Sequence, residues 1–181
     1  MGKHKLKLKK ITTFIFIWAV LSLPLSNLAY AASITPETVV GLVNQSRTEK
    51  GLDSLVINEK LNQAAADKAS DMIKNNYFAH NSPKGITPWF WIEKNKYDYV
   101  HAGENLAMDF VTAEKEQQAW MKSEGHRNNI LNPNYQEIGV AVQKGTINGR
   151  LTTVTVQMFA SRKDFVQVGS PTPIIDRKSV V

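Results

Sequence analysis

Side chains that ligate metals or exchange protons near neutral pH are few in this sequence, so each can be weighed singly. Of its four histidines, His4 falls in a basic amino-terminal stretch, which leaves His80, His101 and His126. His80 lies in Tyr77-Phe78-Ala79-His80-Asn81-Ser82-Pro83, where the proline enforces extended or turn geometry on the residue before it. His126 sits in Ser123-Glu124-Gly125-His126-Arg127-Asn128-Asn129-Ile130-Leu131, a polar stretch that reads as a turn with Ser123 placed to cap it. His101 precedes Gly103-Glu104-Asn105-Leu106-Ala107, in which one acid stands among small and apolar residues. Such an acid is either exposed on a loop or buried against a partner, because an unpaired buried carboxylate is expensive. Histidine is its natural partner. Each residue alone has a structural explanation in capping or local hydrogen bonding. Together, three polar turns present a titratable group beside glycine, asparagine or serine, the residues that let backbone approach a ligand.

Positioning these turns requires regular elements around them. Thr35-Pro36-Glu37 has the chemistry of a helix start, followed by Val39, Val40, Leu42 and Val43, with Gly51 marking the end. Asn58 caps a second helix whose members Leu61, Ala64, Ala65, Ala69, Met72 and Ile73 form one stripe of 3.6-residue period. Its small alanines imply close approach to a neighbour, and Asn75-Asn76 supplies a left-handed stop. Thr87-Pro88 opens a short aromatic helix through Trp89, Phe90, Trp91 and Ile92. A fourth helix is expected from Thr112 to Met121, with Ala113, Gln117, Trp120 and Met121 on its packed side. Ile138 to Val142 and Leu151 to Phe159 are rich in β-branched residues. The second run alternates, with Val154, Val156 and Met158 on one face and Thr153, Thr155, Gln157 and Phe159 on the other. Asn148-Gly149 between the two runs is a strong hairpin turn. A hairpin with helices packed on it gives an α+β domain from about Ile34 to Ala160.

The chain has 181 residues, 43% of them apolar, enough for one core and too few for two. Its formal charge of +6 invites nucleic acid or anionic membrane as a partner. Residues 1–31, however, hold five lysines and no acid, leaving 17 basic residues against 16 acidic ones in the remainder. That first segment has the form of a secretory signal: a basic stretch to Lys10, an apolar run from Ile11 to Leu25, and Ala29-Tyr30-Ala31 as a cleavage site after Ala31. The apolar run is shorter than the roughly twenty residues that span a bilayer. The expected product is an exported, near-neutral domain over 32–161 with a flexible tail over 162–181. Nucleic acid is not an expected partner, and no stable membrane anchor remains after cleavage. The absence of cysteine excludes disulfides, thiolate metal sites and a cysteine nucleophile together.

Four strings, Phe78-Ala79-His80-Asn81-Ser82, Gly103-Glu104-Asn105-Leu106-Ala107, Gly125-His126-Arg127-Asn128-Asn129-Ile130-Leu131 and Ile138-Gly139-Val140-Ala141, resemble in order and spacing the motifs of the CAP superfamily. That family holds the cysteine-rich secretory proteins, insect venom antigens, plant pathogenesis-related proteins and a bacterial SCP-like branch. The likeness runs from about Val39 to Phe159, and the lack of cysteine fits the bacterial branch. The resemblance implies an α-β-α sandwich, an antiparallel sheet flanked by helices, with a large open cleft floored by two histidines and acidic residues. Here these are His80, His126 and Glu104, with Glu124 after Trp120 as the second acid or Glu116 as the alternative. His101 has no counterpart and is read as structural, while Gln157 has the polarity to face the cleft floor.

Two neutral imidazoles with carboxylates nearby would bind zinc or another divalent cation in an open site, each acid either ligating or orienting a histidine. Such a site, with His80, His126, Glu104 and Glu124 as its metal set, weakens below about pH 6 as the histidines protonate. A catalytic zinc normally takes three protein ligands, a number these residues only just reach. His80, Glu104 and His126 are also the candidates for metal-free acid–base catalysis, but no nucleophile elbow or oxyanion-hole motif accompanies them. Three readings follow: a module binding an extracellular ligand (lipid or sterol, peptide or cell-wall component), a hydrolase acting on extracellular or cell-wall peptides, or a scaffold with a vestigial tetrad. The first is preferred and turnover is not expected. Tyr77, Phe78, Trp89, Phe90 and Trp91 have core packing as their expected use, with an apolar groove as the alternative.

Overall fold

The computed structural model describes residues 33–162. The expected leader over 1–31 and the tail over 162–181, Arg162 excepted, lie outside the described residues. Helix α1 (Pro36–Thr48) opens where the sequence signals it: the Thr35 side chain accepts from the Thr38 backbone, and Thr38 reciprocates. Strand β1 (Val56–Ile57) leads into α2 (Glu59–Lys74), capped by Asn58, whose side chain accepts from the Lys60 and Leu61 backbone. Asn76, at φ 53°, ends it in the left-handed region. Helix α3 (Pro88–Lys94), strand β2 (His101–Met108), helices α4 (Ala113–Lys122) and α5 (Glu124–Ile130) and strands β3 (Glu137–Ile147) and β4 (Arg150–Ser161) complete the order.

The four strands form one sheet in the order β1-β3-β4-β2. Strands β3 and β4 make the expected hairpin, and Asn148 and Gly149 both take positive φ, 51° and 75°, as its two-residue turn requires. Strand β2 pairs antiparallel with β4 and forms one edge, while the short β1 runs parallel to β3. The alternation of β4 sorts the core. Val154, Val156, Met158 and Ala160 pack with Leu61, Ala64, Ala65, Ala69 and Met72 of α2 and with Trp91 and Ile92 of α3. On the opposite face, Phe159 packs with Val39, Val40 and Val43 of α1, Trp120 of α4 and Ile130 of α5. The result is the expected α-β-α layering. Contact between α2 and the sheet is so close at Gly139 that any side chain there would collide with the Leu61–Asn62 backbone.

Two expectations need correction. Gly103-Glu104-Asn105 is not a turn but the middle of strand β2, and Ser123–Leu131 is not a turn but the short helix α5. Glycine and asparagine disfavour both states intrinsically, and tertiary contacts override them here. At Gly103 the missing side chain makes room for the Tyr135 ring, whose hydroxyl donates to the Ala102 carbonyl (3.0 Å).

Candidate metal and ligand site

The first half of the site hangs on α2 and β2. The register that sets Glu104 opposite Met158 turns its side chain to the α2 face of the sheet, where it is buried with 5% of the residue exposed. His80, in the loop that follows α2, donates from Nδ1 to Glu104 Oε1 at 2.6 Å. Its imidazole remains 58% exposed while the carboxylate side chain is at 2%. A buried acid therefore holds an accessible ring. The hydrogen bond to Glu104 raises the proton affinity of His80. Burial raises that of Glu104, and His80 together with the ammonium of Lys68 pulls it back. The loop itself is tied by the Ser82 hydroxyl, which accepts from the backbone of Lys84 and Ile86 (3.2 and 3.1 Å).

Lys68 is a member of this half that sequence reasoning missed. It is completely buried on α2 and donates to the carbonyls of Ala79 (2.8 Å) and His80 (2.6 Å) and to the Tyr77 hydroxyl (3.3 Å). A signal existed: in the stripe that begins at Leu61, position i+7 is Lys68, a charge where the pattern calls for an apolar residue.

The second half rests on α5. His126 Nδ1 and the Ser123 hydroxyl share a hydrogen bond of 2.8 Å, so the serine orients the ring and does not cap the helix. Burial and the nearby charge of His80 lower the proton affinity of His126 and keep it neutral. Asn105, with no exposed surface, donates to the His126 carbonyl (3.2 Å) and to Gln157 Oε1 (3.1 Å). Asn129 in turn donates to the Glu104 carbonyl (3.0 Å) and to Asn105 Oδ1 (2.8 Å), which stitches α5, the helix of His126, to β2, the strand of Glu104. Gln157 is thus a buried member of this amide network, and its Nε2 has no hydrogen-bond partner among the described residues.

The two candidates for the second acid part company. Glu124 is exposed at the start of α5. Glu116 is buried on α4, accepts from the Thr155 hydroxyl (3.1 Å), and is pushed up by burial to about 7. Among the described residues no group of three or more His, Asp or Glu side chains converges as a ready metal set. His80 and His126 each use Nδ1 for a neighbour, which leaves Nε2 of each ring for a ligand. A cation here would have the two Nε2 atoms as protein ligands and would be completed by water or ligand, with Glu104 orienting one ring in the manner of an outer-sphere carboxylate. This donor set does not fit a closed four-residue site. Of the aromatic residues, Tyr77 and Trp91 are in the core, while Phe78 and Phe90 are 36% and 45% exposed.

The three-layer α-β-α fold is that of a CAP-type domain, with His80 in the loop after α2, Glu104 on the edge strand β2 and His126 on α5. The chain belongs to the Cysteine-rich secretory protein family (CAP), which matches residues 40–159. It is 43% identical over 118 residues to the uncharacterized protein YkwD of Bacillus subtilis, covering 65% of this chain and 46% of that protein. It is 34% identical over 106 residues to the uncharacterized membrane protein YlbC of the same organism, covering 59% and 31%. This chain therefore spans less than half the length of these relatives. Among solved structures it resembles an extracellular SCP-domain protein of Bacillus anthracis, with TM-score 0.61, 29% identity and coverage of 70% and 40%. An outer surface protein of Borrelia burgdorferi shares the fold, with TM-score 0.61, 22% identity and coverage of 74% and 99%. No helix among the described residues is long and apolar enough to cross a membrane.

Proposed function

We propose that this chain is an exported CAP domain that binds a ligand at the cell surface or outside the cell, through a divalent cation held by Nε2 of His80 and of His126. The observation that carries this reading is the 2.6 Å bond from the exposed His80 ring to the buried Glu104. In the neutral ring a proton held at Nδ1 by that carboxylate leaves the Nε2 lone pair facing outward, and a cation there competes with the second proton that Glu104 makes His80 hold more readily. When bound, zinc or a similar ion would act as a Lewis acid toward a ligand's oxygen or nitrogen atoms. His126 supports the same use, since its lowered proton affinity keeps it neutral and competent to ligate near pH 7. Two imidazoles fall short of the three protein ligands typical of catalytic zinc, which favours binding over turnover. An extracellular setting agrees with the leader-like residues 1–31 and with the extracellular SCP-domain relative.

The test is calorimetric titration with zinc of the purified protein and of a His80→Ala, His126→Ala double variant. Saturable binding by the first and its loss in the second is the expected result. Equal affinity in the two would end the metal-site reading. Incubation with a mixed peptide library, with and without chelator, tests turnover: cleavage above the double variant would replace binding by hydrolysis.

A further inference from the structure

We propose that Lys68 is the positioning residue of the site: its buried ammonium anchors the backbone of Ala79 and His80 so that the His80 ring stays on Glu104. The inference rests on the reading of His80 as a ligand-binding group. Three observations lead to it. Lys68 is fully buried on a helix face otherwise made of Leu61, Ala64, Ala65, Ala69 and Met72, where an apolar residue would pack without desolvating a charge. All three ammonium protons are spent within one short stretch, on the Tyr77 hydroxyl and the Ala79 and His80 carbonyls. The loop thus anchored carries an imidazole that is itself more than half exposed and, among the described residues, has a single side-chain hydrogen bond, to Glu104.

The charges that face Lys68 agree with this role. Glu104 from β2 and Asp71 from α2 offset its positive charge, and Asp71 Oδ2 accepts from the same Tyr77 hydroxyl that Lys68 touches (2.5 Å). Lysine's three donors on a long stem reach two successive carbonyls at once, which neither methionine nor glutamine at this position reproduces. An ordinary core role would require only the stem. The anchoring role requires the ammonium.

The experiment compares the protein with Lys68→Met, which keeps the stem and removes the donors. In ¹⁵N-labelled wild type, the Lys68 Nζ resonance is expected as a slowly exchanging three-proton ammonium, and neutral His80 as the single tautomer protonated at Nδ1. In Lys68→Met, which should still unfold cooperatively, His80 is expected to average between tautomers and zinc affinity to fall at least tenfold. Because the sequence has no cysteine, Lys68→Cys can be aminoethylated in denaturant and refolded to restore the ammonium. That form should recover the single tautomer and come within about threefold of wild-type affinity. A pinned His80 tautomer in folded Lys68→Met would overturn the proposal. If Lys68→Met does not fold, the wild-type ammonium decides, since rapid proton exchange there also overturns it. Should neither protein bind zinc while the tautomer result holds, the metal reading fails and the positioning role stands.

Discussion

Glu104 and Glu116 are both buried, act on opposite faces of one sheet, and meet opposite electrostatic surroundings. Glu104, on the α2 face, is bonded to His80 and lies within the field of Lys68. Glu116, reaching β4 from α4, has the Thr155 hydroxyl as its hydrogen-bond donor, and among the described residues each acid keeps one buried oxygen without a hydrogen bond, Oε2 of Glu104 and Oε1 of Glu116. Without a cation, burial dominates, and Glu116 holds its proton up to about 7. At Glu104, where burial also raises the proton affinity on balance, the His80 ring and the Lys68 ammonium offset part of that cost, an offset Glu116 lacks. Burial of an acid is therefore not itself a mark of function. The mark is the investment of further buried charge around it, and Glu104, with His80 and Lys68 about it, has that investment where Glu116 does not.

The largest effect is expected from breaking the partnered acid. Glu104→Gln leaves Lys68 buried without its main countercharge and releases His80, so stability should fall by about 3 kcal/mol. Zinc affinity of the protein that remains folded should drop by about 10–100-fold. Denaturant melts and titration calorimetry read the two. Equal stability of variant and wild type would mean that Glu104 is already protonated, which removes the contrast.

The same change at Glu116 should have the opposite sign. A folded-state value raised above the unfolded one means that Glu116 favours folding fully only below about pH 4.5, and that this contribution is lost as pH rises through about 7. Glu116→Gln should therefore be nearly neutral at pH 5 and stabilising at pH 8, by up to about 3 kcal/mol. Melts of both proteins across pH 5–8 check it. Parallel curves would show that Glu116 does not titrate in this range.

How far these features were legible in the sequence follows the same division. α1, α2 and the β3–β4 hairpin announce themselves through Thr35-Pro36, the Asn58 cap and Asn148-Gly149, because caps and tight turns are local chemistry. His80, Glu104 and His126 stand out as rare groups in recurring motifs. Strand β2 did not, since Gly103 and Asn105 are poor strand residues whose conformation is fixed by Tyr135 and by Gln157 and Asn129 far along the chain. Helix α5 was hidden by Gly125, Asn128 and Asn129 for the same reason. Lys68 was missed because its partners are backbone carbonyls, which leave no trace in residue types.

The two histidines repeat the contrast at smaller scale. His80 is held by a buried residue 24 positions away, and His126 by a serine three positions back, just ahead of its own helix. A local partner constrains less. Ser123→Ala removes one neutral hydrogen bond and no side-chain cap, so it should lower zinc affinity only about threefold to tenfold and leave the melting temperature nearly unchanged. A loss as large as that of Glu104→Gln would make the two rings equally dependent on their partners.

The smallest effect is expected at Glu124, where family resemblance and structure point in different directions. The resemblance implies that an acid after Trp120 completes the tetrad, yet Glu124 is exposed in the first turn of α5. In that position its carboxylate serves the helix dipole, a contribution of about 0.3–1 kcal/mol at most. Glu124→Gln should therefore change zinc affinity by no more than about twofold, since a screened surface charge supplies little to a cation it does not touch. A tenfold loss would place the carboxylate on the cation after all. It would require the head of α5 to turn toward His126 on binding, and it would make the second half of the site one that the ligand assembles, in contrast to the preformed pair of His80 and Glu104.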